Sequence, residues 1–241
     1  MNKKILGLLF LILLILPACA LIPDIPAKVT GSGNVISENR TATDFSQISL
    51  EGSAEVTVTF GNVESVNISG EDNIISLIET NVVNHKLIIK TKPLMTYSAT
   101  KPVVISITMK KLEGLSLSGS GNINISKFEG DAFDVNLAGS GDINFSGYSG
   151  ESIDVDLPGS GTIVLAGSAS RIQISLGGSG NILANKLQAK SATVTLNGSG
   201  NIKVYCSESL NATLNGSGNI QYEGNPLTVN KKVNGSGNIS E

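Results

Sequence analysis

Along most of the chain apolar and polar residues alternate one for one, and the alternation is broken at a regular interval by Gly-Ser-Gly. Alignment on the first glycine of each break gives columns. Two residues before it stand Leu117, Leu137, Leu157, Leu176, Leu196, Leu214 and Val233. Four before it stand Leu115, Val135, Val155, Ile174, Val194, Ala212 and Lys231. Four after it the residue is Ile123, Ile143, Ile163, Ile182, Ile202, Ile220 and Ile239. Six after it come Ile125, Phe145, Leu165, Ala184, Val204 and Tyr222. A period of two predicts strands with one buried face on either side of each break.

The break itself is Gly-Ser-Gly-Asn at 31–34, 119–122, 178–181, 198–201, 216–219 and 235–238. Asp142 and Thr162 replace the Asn in two further copies, and Gly52-Ser53-Ala54-Glu55 is a degenerate one. From Gly119 onward the step is 18 to 20 residues. A fixed short period marks a repeat architecture. Antiparallel hairpins, in a sandwich or barrel, would not need the same tetrapeptide at each turn or an Ile four residues after it. A chain that coils stacks each repeat on its equivalent, about 4.8 Å away, in parallel register. The fold expected is therefore all-β: a single-chain parallel β-helix, or β-solenoid, with 18–20-residue coils.

In this reading Gly119, Gly121, Gly139, Gly141, Gly159, Gly161, Gly178, Gly180, Gly198, Gly200, Gly216 and Gly218 are structural corners. They should supply backbone angles closed to other residues and let successive corners approach closely. The Asn that follows should form a ladder of side-chain amide bonds between coils.

The first part is less regular. Alternation predicts strands within 45–60, at Val66/Ile68, over Leu87–Ile89 and over Val103–Ile107. Ile74, Ile75, Leu77 and Ile78 at helical spacing predict a turn or two of helix behind an Asp72 N-cap. Ser37–Thr43 and Lys92–Pro102 read as loops. The expected organisation is a signal peptide over 1–18, a tether over 19–28 and a solenoid over 29–241, regular from 112.

The start of the chain changes the picture. Lys3 and Lys4 precede an apolar run, Ile5–Leu16, too short to span a bilayer as a helix, which needs about 20 residues. The run ends at Leu16-Pro17-Ala18-Cys19, which resembles a bacterial lipoprotein signal. Cys19 is the expected lipidation site, so the chain is expected to be exported and anchored to the cell membrane or outer envelope, outside the cytoplasm. Pro23 and Pro26 favour an extended tether. Cys206 is then the one remaining thiol, facing inward with Val204, and no disulfide framework is expected.

Composition narrows the function. Aromatics are 4% with no Trp, Gly numbers 27, and the net charge of −3 becomes −5 once Lys3 and Lys4 leave with the signal. A core of Ile, Val and Leu layers is implied. Nothing supports nucleic-acid binding. The glycine motifs lack phosphate-loop spacing and open no helix, and calcium-binding nonapeptide repeats would place an Asp in every turn. His85, the one histidine, lies in a polar Asn84-His85-Lys86 turn, so neither a Ser/His/Asp triad nor a zinc site has a local signature. The Asn-Gly-Ser sequons at Asn197, Asn215 and Asn234 follow from the repeat. No catalytic residue is expected.

One constellation rises above the background. The outward positions five and three before the motif hold Asp134 with Asn136, then Asp154 with Asp156, then Gln173 with Ser175. Stacking sets Asp134 over Asp154, where like charges repel and favour a cation between them. Asp134, Asp154 and Asp156 are the expected metal ligands, for weakly bound calcium; otherwise they form a solvated face. No other cofactor is expected.

The repeated Gly-Ser-Gly-Asn-Ile, with Arg40–Ile48 leading to the degenerate motif, the Leu87-Ile88-Ile89 strand and Lys111–Leu115 before the first regular coil, resembles the head GIN domain family, also described as auto-transporter adhesin domains. The resemblance covers about Gly31 to the end. It implies a secreted or surface β-helical protein without catalytic residues. No translocator barrel follows, so a lipid anchor is expected in its place. The expected role is a membrane-anchored binding or adhesion module with a carbohydrate or surface-protein ligand. The alternative is a polysaccharide-active β-helix enzyme, which would need Arg or Lys beside its carboxylates. With no polar segment after the last motif, weak homo-association through the solenoid ends is also expected.

Overall fold

The computed structural model describes residues 27–241. The signal sequence, Cys19 and the tether to residue 26 lie outside the described residues. Chain order gives β1 (Ala27–Thr30), β2 (Val35–Arg40), β3 (Gln47–Gly52), β4 (Glu55–Phe60), β5 (Ser65–Glu71), a single helical turn α1 (Asp72–Ile75), β6 (Ile78–Val83), β7 (Lys86–Thr91), β8 (Met95–Ser98) and β9 (Val104–Met109). The regular part follows as β10 (Gly114–Gly119), β11 (Asn122–Ile125), β12 (Phe128–Leu137), β13 (Asp142–Phe145), β14 (Tyr148–Leu157) and β15 (Thr162–Leu176). It continues as β16 (Asn181–Leu196), β17 (Asn201–Leu214), β18 (Asn219–Glu223), β19 (Thr228–Val233) and β20 (Asn238–Ser240).

The fold is a parallel β-solenoid. Residues before each Gly-Ser-Gly form a first sheet in the order β7, β3, β10, β12, β14, β15, β16, β17, β19. Residues after it form a second, in the order β9, β4, β11, β13, β15, β16, β17, β18, β20. Strands β15 to β17 are long enough to bend and serve both. A short third side is made where Phe128–Gly130, Tyr148–Gly150 and Gly167–Ala169 stack.

The predicted register holds. Ile123, Ile143, Ile163, Ile182, Ile202, Ile220 and Ile239 pair successively and are all buried. Five aromatics, Phe60, Phe128, Phe133, Phe145 and Tyr148, cluster across neighbouring coils, where Phe128 stacks on Phe60 at 4.9 Å and packs edge-on against Phe133 at 5.3 Å. Cys206 is fully buried, and burial pushes its thiol up to about 11.

The corners are tight because their backbones touch. A Cβ on Gly139 would overlap the carbonyl oxygen of Gly119. Of the corner glycines from Gly119 on, Gly119 is the one with a positive φ. Of the two roles the sequence suggested, close approach, and not a forbidden backbone angle, is thus what fixes glycine at most of them. The amide ladder forms through Asn181, Asn201 and Asn219 at 3.1 Å per step. A second ladder, unforeseen, runs through Asn197, Asn215 and Asn234 at 2.7 Å.

The first part departs from expectation. The β3–β4 coil lies inside the stack, between the later coil β7–β9 and β10–β11. Antiparallel strands close that end: β6 on β7, β5 on β9, and β2 on β5. Ser37–Arg40 therefore belongs to strand β2 and not a loop, its polar side chains tolerated at an edge where Ser37 bonds Asn67 at 2.9 Å. Within Lys92–Pro102, residues Met95–Ser98 form β8, which pairs in parallel with β1. Glu71, not Asp72, occupies the N-cap position of α1.

The first Gly-Ser-Gly-Asn makes no solenoid corner. It wraps the acidic pair at the start of α1: the Gly33 N–H donates to the Glu71 carboxylate at 2.6 Å, the Ser32 hydroxyl and the Asn34 amide to Asp72 at 2.5 and 3.0 Å. Thr100 donates to Glu71 through its hydroxyl at 2.7 Å and its N–H at 2.8 Å. A Cβ on Gly31 would overlap that carboxylate, so the motif serves here as a close-fitting clasp.

Candidate functional site

Alternation sends every second side chain of the first sheet outward, and parallel register stacks these into columns. One column reads Lys86, Gln47, Gly114, Asp134, Asp154, Gln173. Its neighbour reads Ser49, Ser116, Asn136, Asp156, Ser175. All of these but Ser49 line an open depression of about 620 Å³. Gly114 deepens it by leaving one place in the column without a side chain, between Gln47 and Asp134.

Asp134 and Asp154 are register partners, as the repeat implied, and Asp156 stands two residues from Asp154 on the same face. Asp156 accepts a hydrogen bond from the Asn136 amide at 3.2 Å. Among the described residues no three His, Cys, Asp or Glu side chains converge on one point as a metal cage. The carboxylates stand in a ladder with amides and hydroxyls, a surface that both donates and accepts hydrogen bonds. The nearest cations in the register are Lys86, at the far end of the same column, and Arg171, whose partner is Ser152.

A second depression lies alongside, lined by Asp44, Ser46, Glu64, His85, Lys111 and Glu113 among others. His85 sits in the β6–β7 turn with φ of 59°, and its Nδ1 lies 3.1 Å from the Asp44 carbonyl. The Ser46 hydroxyl donates to Glu113 at 2.6 Å and not to His85. Lys111 also donates to Glu113 at 2.6 Å, and these two bonds hold the Glu113 carboxyl below its usual range. The trio is a structural tie between the β3–β4 coil and the chain entering β10. Gln47 and Lys86 were missed in the sequence, because the irregular spacing of the first coils hides their column.

A family model described as "Putative auto-transporter adhesin, head GIN domain" matches residues 44–226. The chain belongs to this family. Solved structures share the GIN-domain fold. A putative adhesin from Bacteroides fragilis superposes with a TM-score of 0.82 at 25% identity, over 88% of this chain and 99% of that one. A putative lipid binding protein from Parabacteroides distasonis does so at 0.73 and 25%, over 88% and 98%. A putative adhesin from Parabacteroides merdae follows at 0.69 and 23%, over 89% and 99%. No curated protein matches the chain. No helix among the described residues is long and apolar enough to cross a membrane.

Proposed function

We propose that this GIN-domain protein is a non-catalytic binding module of adhesion type, exported and held to a membrane by lipid on Cys19, which binds an extended glycan along the outward columns of its first sheet. The observation that carries this reading is the depression over Gly114, where Gln47, Asp134, Asn136, Asp154 and Gln173 repeat at coil spacing. That spacing is about 4.8 Å, close to the advance of one sugar unit along a polysaccharide, so successive coils on either side of Gly114 offer hydrogen-bonding side chains to successive units. Carboxylates accept from hydroxyl pairs through two coplanar oxygens, and amides both accept and donate in one plane, so together they suit a row of sugar hydroxyls. The adhesin description of the family and of its solved relatives supports the same reading.

The experiment is a glycan-binding screen of the chain, with calcium present and with it chelated. Binding of elongated glycans, weakened in an Asp134→Asn/Asp154→Asn variant, is expected. A chain that binds no glycan, or a variant that binds as well as its parent, overturns the assignment of the site. The anchor is tested separately: Cys19→Ser should move the protein from the detergent phase to the aqueous phase, and unchanged partitioning removes the lipid from the account.

A further inference from the structure

The chain begins its first strand beside a turn made of unexpected residues. Ala27 of β1 pairs with Met95 of β8. Just before Met95, the residues Lys92-Pro93-Leu94 form a turn closed by the Met95 N–H donating to the Lys92 carbonyl at 3.2 Å. Proline suits the second place of such a turn. A third place with positive φ ordinarily falls to glycine or asparagine. Here it is Leu94, with φ of 60°.

A leucine held in the left-handed region is strained, and such strain persists only where something retains it. Core packing does not, since Leu94 is 62% exposed. Lys92 in the same turn and Lys28 on the paired strand are exposed as well. The molecule thus presents a strained apolar tip flanked by two ammonium groups where the tether arrives.

We propose that this turn is a membrane-contacting tip: Leu94 inserts among the lipids of the bilayer that carries the anchor, while Lys28 and Lys92 meet anionic headgroups. The inference rests on the lipidated Cys19 of the reading above. Seven residues separate Cys19 from Ala27, so even a fully extended tether keeps the turn within about 30 Å of the anchoring lipid. Long basic side chains keep their charge at the headgroups while their stems lie along apolar surface, and anionic lipid draws them there.

The chain has no tryptophan, so Leu94→Trp introduces a single fluorescent reporter. Leu227→Trp, at a residue 87% exposed on the far end of the solenoid, is the control. The full chain is expressed in a lipoprotein-processing bacterium, extracted from its membranes and reconstituted into phosphatidylcholine–phosphatidylglycerol vesicles with brominated acyl chains. Mass spectrometry of the N-terminal peptide reads the state of Cys19 independently. The emission of Leu94→Trp should shift to the blue and lose most of its intensity, and that of Leu227→Trp should do neither. A lipidated Cys19 with an unquenched Leu94→Trp overturns the tip and leaves the anchor standing. An unmodified Cys19 overturns both. A blue shift that grows with protein concentration in the absence of vesicles assigns the turn to a second copy, and overturns the proposal. Leu94→Asn should melt higher than its parent in solution, because asparagine relieves the left-handed strain; a lower melting point would make Leu94 structural and remove the argument.

Discussion

The ammonium of Lys231 lies 4.5 Å from the centre of the Tyr222 ring. Lys231 stands in register with Ala212, at a core-facing place that Leu115, Val135, Val155, Ile174 and Val194 fill in earlier coils. Its neighbours on the same face of β19, Val229 and Val233, remain 38% and 48% exposed. A charge at an inward position blunts an open strand edge, and the aromatic ring gives that charge a partner. Lys231→Val should therefore keep the fold and strengthen the weak self-association expected of this edge. Sedimentation velocity over a concentration series checks it. A variant no more associated than its parent would show that the edge is not a contact.

Corner and groove glycines should respond in opposite ways to the same substitution. A Cβ on Gly139 would overlap the Gly119 carbonyl, whereas one on Gly114 would meet nothing nearer than the Gln47 side chain at 3.5 Å. Alanine restrains the unfolded chain equally at both sites, so the difference between them isolates the steric effect. Overpacking at Gly139→Ala should cost about 2 kcal/mol or more, and Gly114→Ala should stay within about 0.5 kcal/mol of the parent. Urea unfolding measures both. Equal midpoints would contradict the stacked corner.

The Glu71 clasp gives the cap a pH dependence. The Thr100 hydroxyl bonded to its carboxylate, together with the N–H groups of Thr100, Gly33 and Lys101, holds its pKa below the ordinary 4.5, against the opposing effect of burial. A lowered folded pKa means that the clasp stabilises fully above the unfolded value, and that this contribution is lost as pH falls through the folded one. Glu71→Gln should lower the melting temperature at neutral pH, since an amide turns N–H groups toward N–H donors. The difference between the two melting temperatures should begin to shrink as pH falls below the unfolded value and close only once pH is below the lowered folded one. A constant difference down to strongly acidic pH would mean that the carboxylate charge is not what the clasp holds.

What could be read in the sequence is what repeats. The inward columns and the pairing of Asp134 with Asp154 follow from period and alternation, because parallel register carries each residue onto its equivalent. The direction of stacking does not follow, since a coil laid above or below its predecessor satisfies the same pattern. The β3–β4 coil accordingly sits beneath β10–β11 with β7–β9 beyond it. Local identity also misleads: Gly31–Asn34 matches the corner motif residue for residue, but its partner Glu71 lies 38 positions beyond Gly33 and no period points to it. Strand β2 was hidden because an antiparallel edge strand needs no apolar face.

The claim that the first sheet is the binding surface is tested most directly at Gly114. The nearest groups that a side chain there would meet are the Gln47 side chain and the Asp134 carbonyl, at 3.5 to 3.9 Å. Gly114→Gln can therefore fill the depression while leaving the coils in place. The measurement is glycan binding by Gly114→Gln against the parent and against Asn201→Gln on the second sheet, with melting temperatures compared. Loss of binding by Gly114→Gln alone, at an unchanged melting temperature, is the predicted result. Binding equal to that of the parent would contradict the account.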